Sequence, residues 1–339
     1  MTDLISRGRF VAAGSAALAS IAVIKAPARA AEWTYKYANN VSVDHPLNVR
    51  TKMCWNDVNR ETKGRLDVQI FPNNQLGGDT QMLAQLRSGA LQVMTLDGGI
   101  LESVVPVAAI QSVGFAFNDS AQAFRAFDGK LGAYVRGEIA TKGLHAFDKI
   151  WENGMREITT STKPVHNAGD IAGMKIRTPN SRMALDLFKS LGAAPTPLNF
   201  SELYTALQTK VVDGQENPLA NIEFARFYEV QKNLSLSSHM WGGYWLLAES
   251  DWFNKLPSDV QGIVTRNASR ITDRQRADVM KLNDSLIGKL KSQGMTVNDL
   301  SAADRATMRA KLGDYYKHWK AEFGNAAWDL LESYSGKLA

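Results

Sequence analysis

Cysteine is almost missing from this chain. Cys54 is the single one in 339 residues, so no internal disulfide can form whatever the redox state of its compartment. Histidine is nearly as scarce: the five, His45, His145, His166, His239 and His318, nowhere fall at a metal-ligand spacing such as H-E-x-x-H. Also absent are a G-x-S-x-G nucleophile elbow, a G-x-x-x-x-G-K-[ST] phosphate loop and a G-x-G-x-x-G dinucleotide fingerprint. These absences argue against an enzyme, against an ATP-driven device and against a metal or dinucleotide cofactor, so no cofactor is expected. Beyond residue 30 the chain keeps 35 basic and 33 acidic side chains, four and one fewer than the 39 and 34 of the whole sequence. That near balance argues against a nucleic-acid partner, for which a concentrated basic surface would be expected. There is no internal repeat, coiled coil or low-complexity tract.

What is present begins with an export signal. Arg7 and Arg9 precede an apolar run from Phe10 to Ile24, and Ala28-Arg29-Ala30 follows as a small-x-small cleavage pattern. The run is shorter than the roughly 20 residues that span a bilayer, so residues 1–30 read as a cleaved signal peptide and the rest as a chain not embedded in a membrane. Gly8 interrupts the arginine pair, which leaves both the general and the twin-arginine export routes open. Cys54 lies far past the cleavage pattern, so no lipoprotein anchor is expected.

From Trp33 the chain alternates strands with helices. Thr34 to Ala38 suit a strand, Asn39 to His45 a polar loop, and Pro46 the first turn of a helix reaching Thr62. Leu66, Val68 and Ile70 alternate as a second strand, Asp79 can cap a helix, and Leu91 to Leu96 make a third strand before a turn at Asp97-Gly98-Gly99. Leu144 to Trp151 read as a strand ending in Glu152-Asn153-Gly154-Met155-Arg156, and the threonine-rich Glu157 to Thr162 as a separate connecting strand. The fold expected is α/β, with two domains of the periplasmic-binding-protein kind, mixed but mostly parallel sheets and a hinge. The boundaries expected are 31–156 for the first domain and 157–246 for the second. Residues 247–339 return to the first domain as C-terminal helices packing across both.

The segment from Gly173 to Asn221 is the densest in signals. Lys175 to Thr178 alternate as a strand that Pro179 stops, which puts Arg177 at a strand end. Asn180 can cap the next helix, and Asn199 or Ser201 a second one carrying Leu203, Leu207 and Val211. A turn at Asp213-Gly214 then leads into Gln215, Glu216, Asn217 and Pro218. On spacing alone, Arg177 could form a surface ion pair or hold a carboxylate in a cleft through its planar fork.

This segment resembles the signature of the DctP-type substrate-binding proteins of TRAP (tripartite ATP-independent periplasmic) transporters. The elements G-x-K-hydrophobic-R-x-P, G-A-x-P-T-P, S-E-hydrophobic-Y-x-A-L-Q and V-D-G-Q-E-N-P stand here at Gly173–Pro179, Gly192–Pro197, Ser201–Gln208 and Val212–Pro218, in register. The resemblance implies a periplasmic receptor that captures an organic acid anion between its domains and hands it to a TRAP membrane permease. It also implies that Arg177 clamps the substrate carboxylate, that Asn217 donates to the same group, and that Arg156 supports the anion. Glu216 belongs to the same motif, and His45 and His239 stand near strand-end loops. Trp241, Tyr244 and Trp245, beside Gly242 and Gly243, could wall the pocket as an aromatic box or could belong to a buried strand crossing the hinge. An aromatic acid and a sugar acid both remain open as ligand, as does a role in feeding a sensor kinase. A dicarboxylate would need a second cation, for which His45 or Arg156 could serve.

Overall fold

Short runs of alternating apolar residues, each followed by a capped helix, build the first half of one large sheet. In the computed structural model, which describes residues 30–338, the order is β1 (Trp33–Ala38), α1 (Pro46–Glu61), β2 (Leu66–Phe71), α2 (Asp79–Arg87), β3 (Val93–Asp97) and the single turn α3 (Gly98–Leu101). The three strands are parallel, with β1 in the middle. Helices α4 (Ser120–Phe127) and α5 (Lys130–Ala140) and the short β4 (Leu144–Ala146) follow. Almost all of the expected signal peptide, residues 1–29, lies outside the described residues.

The second half is built the same way. It contains β5 (Trp151–Thr160), β6 (Lys175–Thr178), α6 (Arg182–Ser190), β7 (Ala194–Pro197), α7 (Phe200–Gln208), β8 (Gly214–Pro218) and α8 (Leu219–Phe224). The 17-residue strand β9 (Asn233–Glu249) comes next, then α9 (Ser250–Lys255), the 35-residue α10 (Ser258–Ser292), β10 (Thr296–Asp299), α11 (Ala302–Ala310) and α12 (Gly313–Ser335). The sheet runs β2-β1-β3-β9-β5-β8-β6-β7, with β10 and β4 also paired to β9. β9 is antiparallel to β3 and β5, and β5 to β8, so the sheet is mixed.

Two strands join the halves. The carboxyl-terminal part of β9 pairs with β3, and its amino-terminal part pairs with β10. β5 follows β9 throughout, with register shifts between Glu152 and Gly154 and between Arg156 and Ile158. Such bulges add local twist and bend a strand. Ser238 sits opposite the second bulge with φ of 42°, and Glu157 holds its backbone N–H at 2.8 Å.

Three cores support the sheet. One lies on a single face under both halves and includes Phe127, Leu187, Trp241, Trp245 and Trp328. A second packs Tyr37, Trp55 and Tyr244 against Val264 of α10, and a third gathers Leu203, Leu234 and Leu290. Helix α10 continues unbroken to Ser292 and carries buried residues of both smaller cores along its length.

The structure departs from the sequence reading at several joints. The strand expected at Leu144–Trp151 is two, because Asp148 and its neighbours turn the chain; the segment from Trp151 to Thr160 is then one strand, so Arg156 stands inside it. Gly214, expected in a turn with Asp213, instead opens a strand that runs to Pro218 and is buried at every position between β5 and β6. Helix α6 is capped by Ser181, which accepts the Ala184 N–H at 3.2 Å, and not by Asn180. Gly78, not Asp79, caps α2, whose first residue is Asp79.

Candidate functional site

Strand order places the carboxyl ends of β1, β3 and β6 around a small cavity at the middle of the sheet, where the two halves face one another. From the first half, Asn40, Asp79 and Asp97 line it; from the second, Arg177, Asn217 and Asn221; from the joining strands, Asn153, Arg156 and Tyr244. Its apolar wall is Ile100, Pro179 and Phe200.

Arg177 is held there by local structure. Pro179 ends β6 just beyond it, and the chain returns through Leu198, whose carbonyl accepts from Nε at 3.0 Å and from Nη2 at 2.6 Å. The side chain is 2% exposed and makes no ion pair with any described residue. Burial draws the guanidinium down to about 10, against the pull of Glu216 and Asp79. It therefore stays charged at neutral pH, buried and without a counter-ion, a condition that favours an incoming anion.

Arg156 is in a different state. Its Nε meets Glu216 Oε2 at 2.5 Å and its Nη2 meets Oε1 at 2.7 Å, a bidentate pair across β5 and β8. Burial alone would push the Glu216 carboxyl up, but Arg156 and His239 outweigh it and hold it down to about 2. His239 Nε2 lies 3.3 Å from Glu216 Oε2 and its Nδ1 is 2.7 Å from Ser237 Oγ. Glu216 and His239 are thus behind Arg156, fully buried and not among the cavity's lining. A second edge of Arg156, Nη1, reaches 3.9 Å from Asp97 Oδ2 at the cavity.

Asn217 donates to Gln215 Oε1 at 2.6 Å and accepts from Asn221 Nδ2 at 3.3 Å and from Arg156 Nη2 at 3.4 Å. That network fixes its amide with one donor hydrogen to spare. Asn221 also donates to the Tyr244 hydroxyl at 3.3 Å. Gly242 lets these groups approach: a Cβ there would stand 3.1 Å from Asn153 Nδ2 and 3.4 Å from Arg156 Nη1.

No aromatic box forms. Trp241 and Trp245 lie four apart on β9 and point together into the large core, where Trp241 stacks on Phe127 at 5.5 Å. Tyr244, three residues from Trp241, points to the opposite face and alone of the three lines the cavity. His45 caps α1 through Nδ1, which accepts the Leu47 N–H at 3.2 Å, and lines an adjoining cavity.

Two acidic residues of the cavity escaped the sequence reading as site residues. Asp79 accepts from Asn40 at 3.0 Å through Oδ2 and leaves Oδ1 buried without a partner. Burial pushes its carboxyl up to about 6. Asp97 accepts the Gly99 N–H at 2.8 Å through Oδ1, and its Oδ2 makes no hydrogen bond; burial raises it too, against the pull of Arg156. The signal available was position: each follows a strand or opens a helix at the same end of the sheet. Among the described residues no group of three His, Cys, Asp or Glu side chains is placed to hold a metal ion, and no helix is long and apolar enough to cross a membrane.

The cavity therefore offers one uncompensated cation, fixed amides, and carboxylate oxygens that accept hydrogen bonds. The profile of bacterial extracellular solute-binding protein family 7, DctP, matches residues 37–322. The 2,3-diketo-L-gulonate-binding periplasmic protein YiaO of Escherichia coli is 32% identical over 82% of this chain and 84% of its own length. An uncharacterised protein of Sinorhizobium fredii, y4mM, is 39% identical over 70% of this chain, which spans 44% of that longer protein. The crystal structure of the sugar acid binding protein DctPAm from Advenella mimigardefordensis, in complex with galactonate, superposes with a TM-score of 0.87 at 30% identity, covering 91% of this chain and all of the other.

Proposed function

We propose, for a chain that belongs to the DctP family of TRAP solute-binding proteins, that it is the periplasmic receptor for a hydroxylated organic acid, which it delivers to a TRAP membrane permease. The family consists of binding proteins rather than enzymes. The observation that carries the ligand class is Arg177, a buried guanidinium that forms an ion pair with no carboxylate among the described residues, facing a wall of amides and acid oxygens. A ligand carboxylate takes the Arg177 fork and the spare Asn217 hydrogen. Hydroxyl groups donate to the free oxygens of Asp79 and Asp97, which would repel a second carboxylate and which an aromatic ring would leave unsatisfied.

A sugar acid fits this description better than an aromatic acid. The galactonate complex of DctPAm and the name of YiaO point the same way. The residues of 31–156 and 157–246 form the two closing lobes, which bend at the bulges of β5 and β9; contacts from both sides exist only when the lobes are together, so ligand shifts the population toward closure. The test is a thermal-shift panel of aldonates, uronates, benzoates, cinnamates, keto acids and dicarboxylates, followed by calorimetry. Stabilisation of about 2.7 kcal/mol is expected for a true ligand at a hundredfold excess over its dissociation constant. Stabilisation by benzoates or cinnamates with none by sugar acids would overturn the reading.

A further inference from the structure

Three cavities abut where the two halves meet. The site described above, about 20 Å³, shares Phe200 and Asn221 with a second of about 40 Å³. The second shares Ser42, Asn73, Phe200, Phe224 and Ala225 with a third of about 390 Å³ that opens toward solvent. Two side chains of the second cavity carry fully buried polar atoms without hydrogen-bond partners, His45 Nε2 and Asn221 Oδ1, and Asn221 lines the first cavity as well.

Their hydrogen-bonding roles are fixed by what the rest of each side chain does. His45 Nδ1 accepts the Leu47 N–H as the cap of α1, so in the neutral ring the proton sits on Nε2, which is a donor. Burial holds the imidazole neutral, drawing it down to about 3. Asn221 uses Nδ2 to donate to Asn217 and Tyr244, which turns Oδ1 outward as an acceptor. The two side chains face each other at the margin of hydrogen-bond reach: neither atom has a partner at full hydrogen-bond distance, yet Asn221 is close enough to act on the ring as an acceptor and oppose the effect of burial.

We propose that His45 and Asn221 form a reading station for a hydroxyl group at the end of the ligand remote from the Arg177 carboxylate, selecting monocarboxylic sugar acids over their dicarboxylic counterparts. The inference rests on the sugar-acid reading of the same site. A hydroxyl accepts from Nε2–H and donates to Oδ1 at once. A carboxylate accepts from the first but has nothing to donate to the second, and it would be buried beside a neutral ring with no cation to hold it. Arg156 cannot supply that cation, because Glu216 already occupies it. Phe224, edge-on to the His45 ring at 5.4 Å, keeps the imidazole in place.

The experiment is calorimetry with galactonate, galactarate and the four-carbon erythronate, on the whole exported protein and on His45→Asn. Asparagine keeps a side-chain oxygen for the Leu47 N–H and so preserves the helix cap, but it withdraws the ring donor. The parent is expected to bind galactonate at least tenfold more tightly than galactarate. H45N is expected to lose about tenfold more affinity for galactonate than for erythronate, which lacks the two terminal hydroxyl-bearing carbons of the six-carbon acid. Equal binding of galactonate and galactarate by the parent, or an equal loss for both aldonates in H45N, would overturn the station while leaving the Arg177 clamp standing. Failure of the parent to bind any sugar acid would overturn the functional reading and this inference with it.

Discussion

Arg156 and Glu216 are bound to one another, Nε to Oε2 at 2.5 Å and Nη2 to Oε1 at 2.7 Å, with both side chains buried. A second arginine at the site is therefore already neutralised by its own chain, and Arg177 is left as its uncompensated cation. Breaking the pair exposes its role. Glu216→Gln leaves a buried guanidinium without its counter-charge, which costs on the order of 3–5 kcal/mol. Urea unfolding is expected to show that loss in the ligand-free protein; an unchanged midpoint would mean the pair is dispensable.

Arg177→Lys tests the clamp by removing the fork while keeping the charge. A lysine ammonium cannot bridge the Leu198 carbonyl and a ligand carboxylate in the same plane. Arg177→Ala removes both features and is expected to cost about 3 kcal/mol, or roughly a hundredfold in affinity; the lysine variant should fall between it and the parent. Calorimetry with the best acid of the panel reads the series, and parental affinity in the alanine variant would refute the clamp.

The part of this site that could be read from sequence is the part set by neighbours along the chain. Arg177 could be placed at a strand end because Pro179 follows it, and Asn217 lies in the same dense segment. The Arg156–Glu216 pair could not be, since it forms only when β5 and β8 pair antiparallel, sixty residues apart in sequence. Asp79 looked like a cap and Asp97 part of a turn because capping and turns are local chemistry, whereas their free oxygens come to the same cavity as Arg177 only in the folded sheet. Of the two places open to the aromatics of β9, the box does not form for a geometric reason: Trp241 and Tyr244 differ by three on a strand and so cannot share a face.

Trp241 and Tyr244 should therefore separate by experiment. Trp241→Phe trims a ring packed on Phe127 and Phe117 and is expected to lower stability by about 1–3 kcal/mol, with ligand affinity retained. Tyr244→Phe removes the hydroxyl that accepts from Asn221 and should weaken binding several-fold at little cost in melting temperature. The reverse pattern would return Trp241 to the pocket wall.

Glu157 gives the joint between the halves its own pH dependence. Its carboxyl, pushed up to about 7 by burial, accepts from the Ser238 N–H and Oγ at 2.8 and 3.1 Å. A carboxyl raised in the folded state contributes stability that is full below its ordinary value near 4.5 and is lost as pH climbs through 7. Glu157→Gln cannot ionise, so its stability relative to the parent should rise between pH 5 and 8, by up to about 3 kcal/mol. Parallel stability curves for the two proteins would rule this out.

Binding itself should also respond to pH, and the sign follows from Asp79. Burial sets its carboxyl near 6 even with Arg177 pulling it down. A ligand carboxylate seated on Arg177 cancels that pull and adds a negative charge nearby, so the Asp79 value rises further in the complex. Protons are then taken up on binding, and for a rise of one unit affinity should decline from pH 6 to 8 by about fivefold, within the limiting factor of ten that one unit allows. The ligand's own carboxylate, ionised above about pH 4, contributes no slope in that range. Asp79→Asn cannot bind the extra proton, so its affinity should be flat where the parent's falls. Calorimetry in two buffers of different ionisation enthalpy measures the proton count directly, and release of protons in place of uptake would show that Asp79 and the anion do not share the cavity.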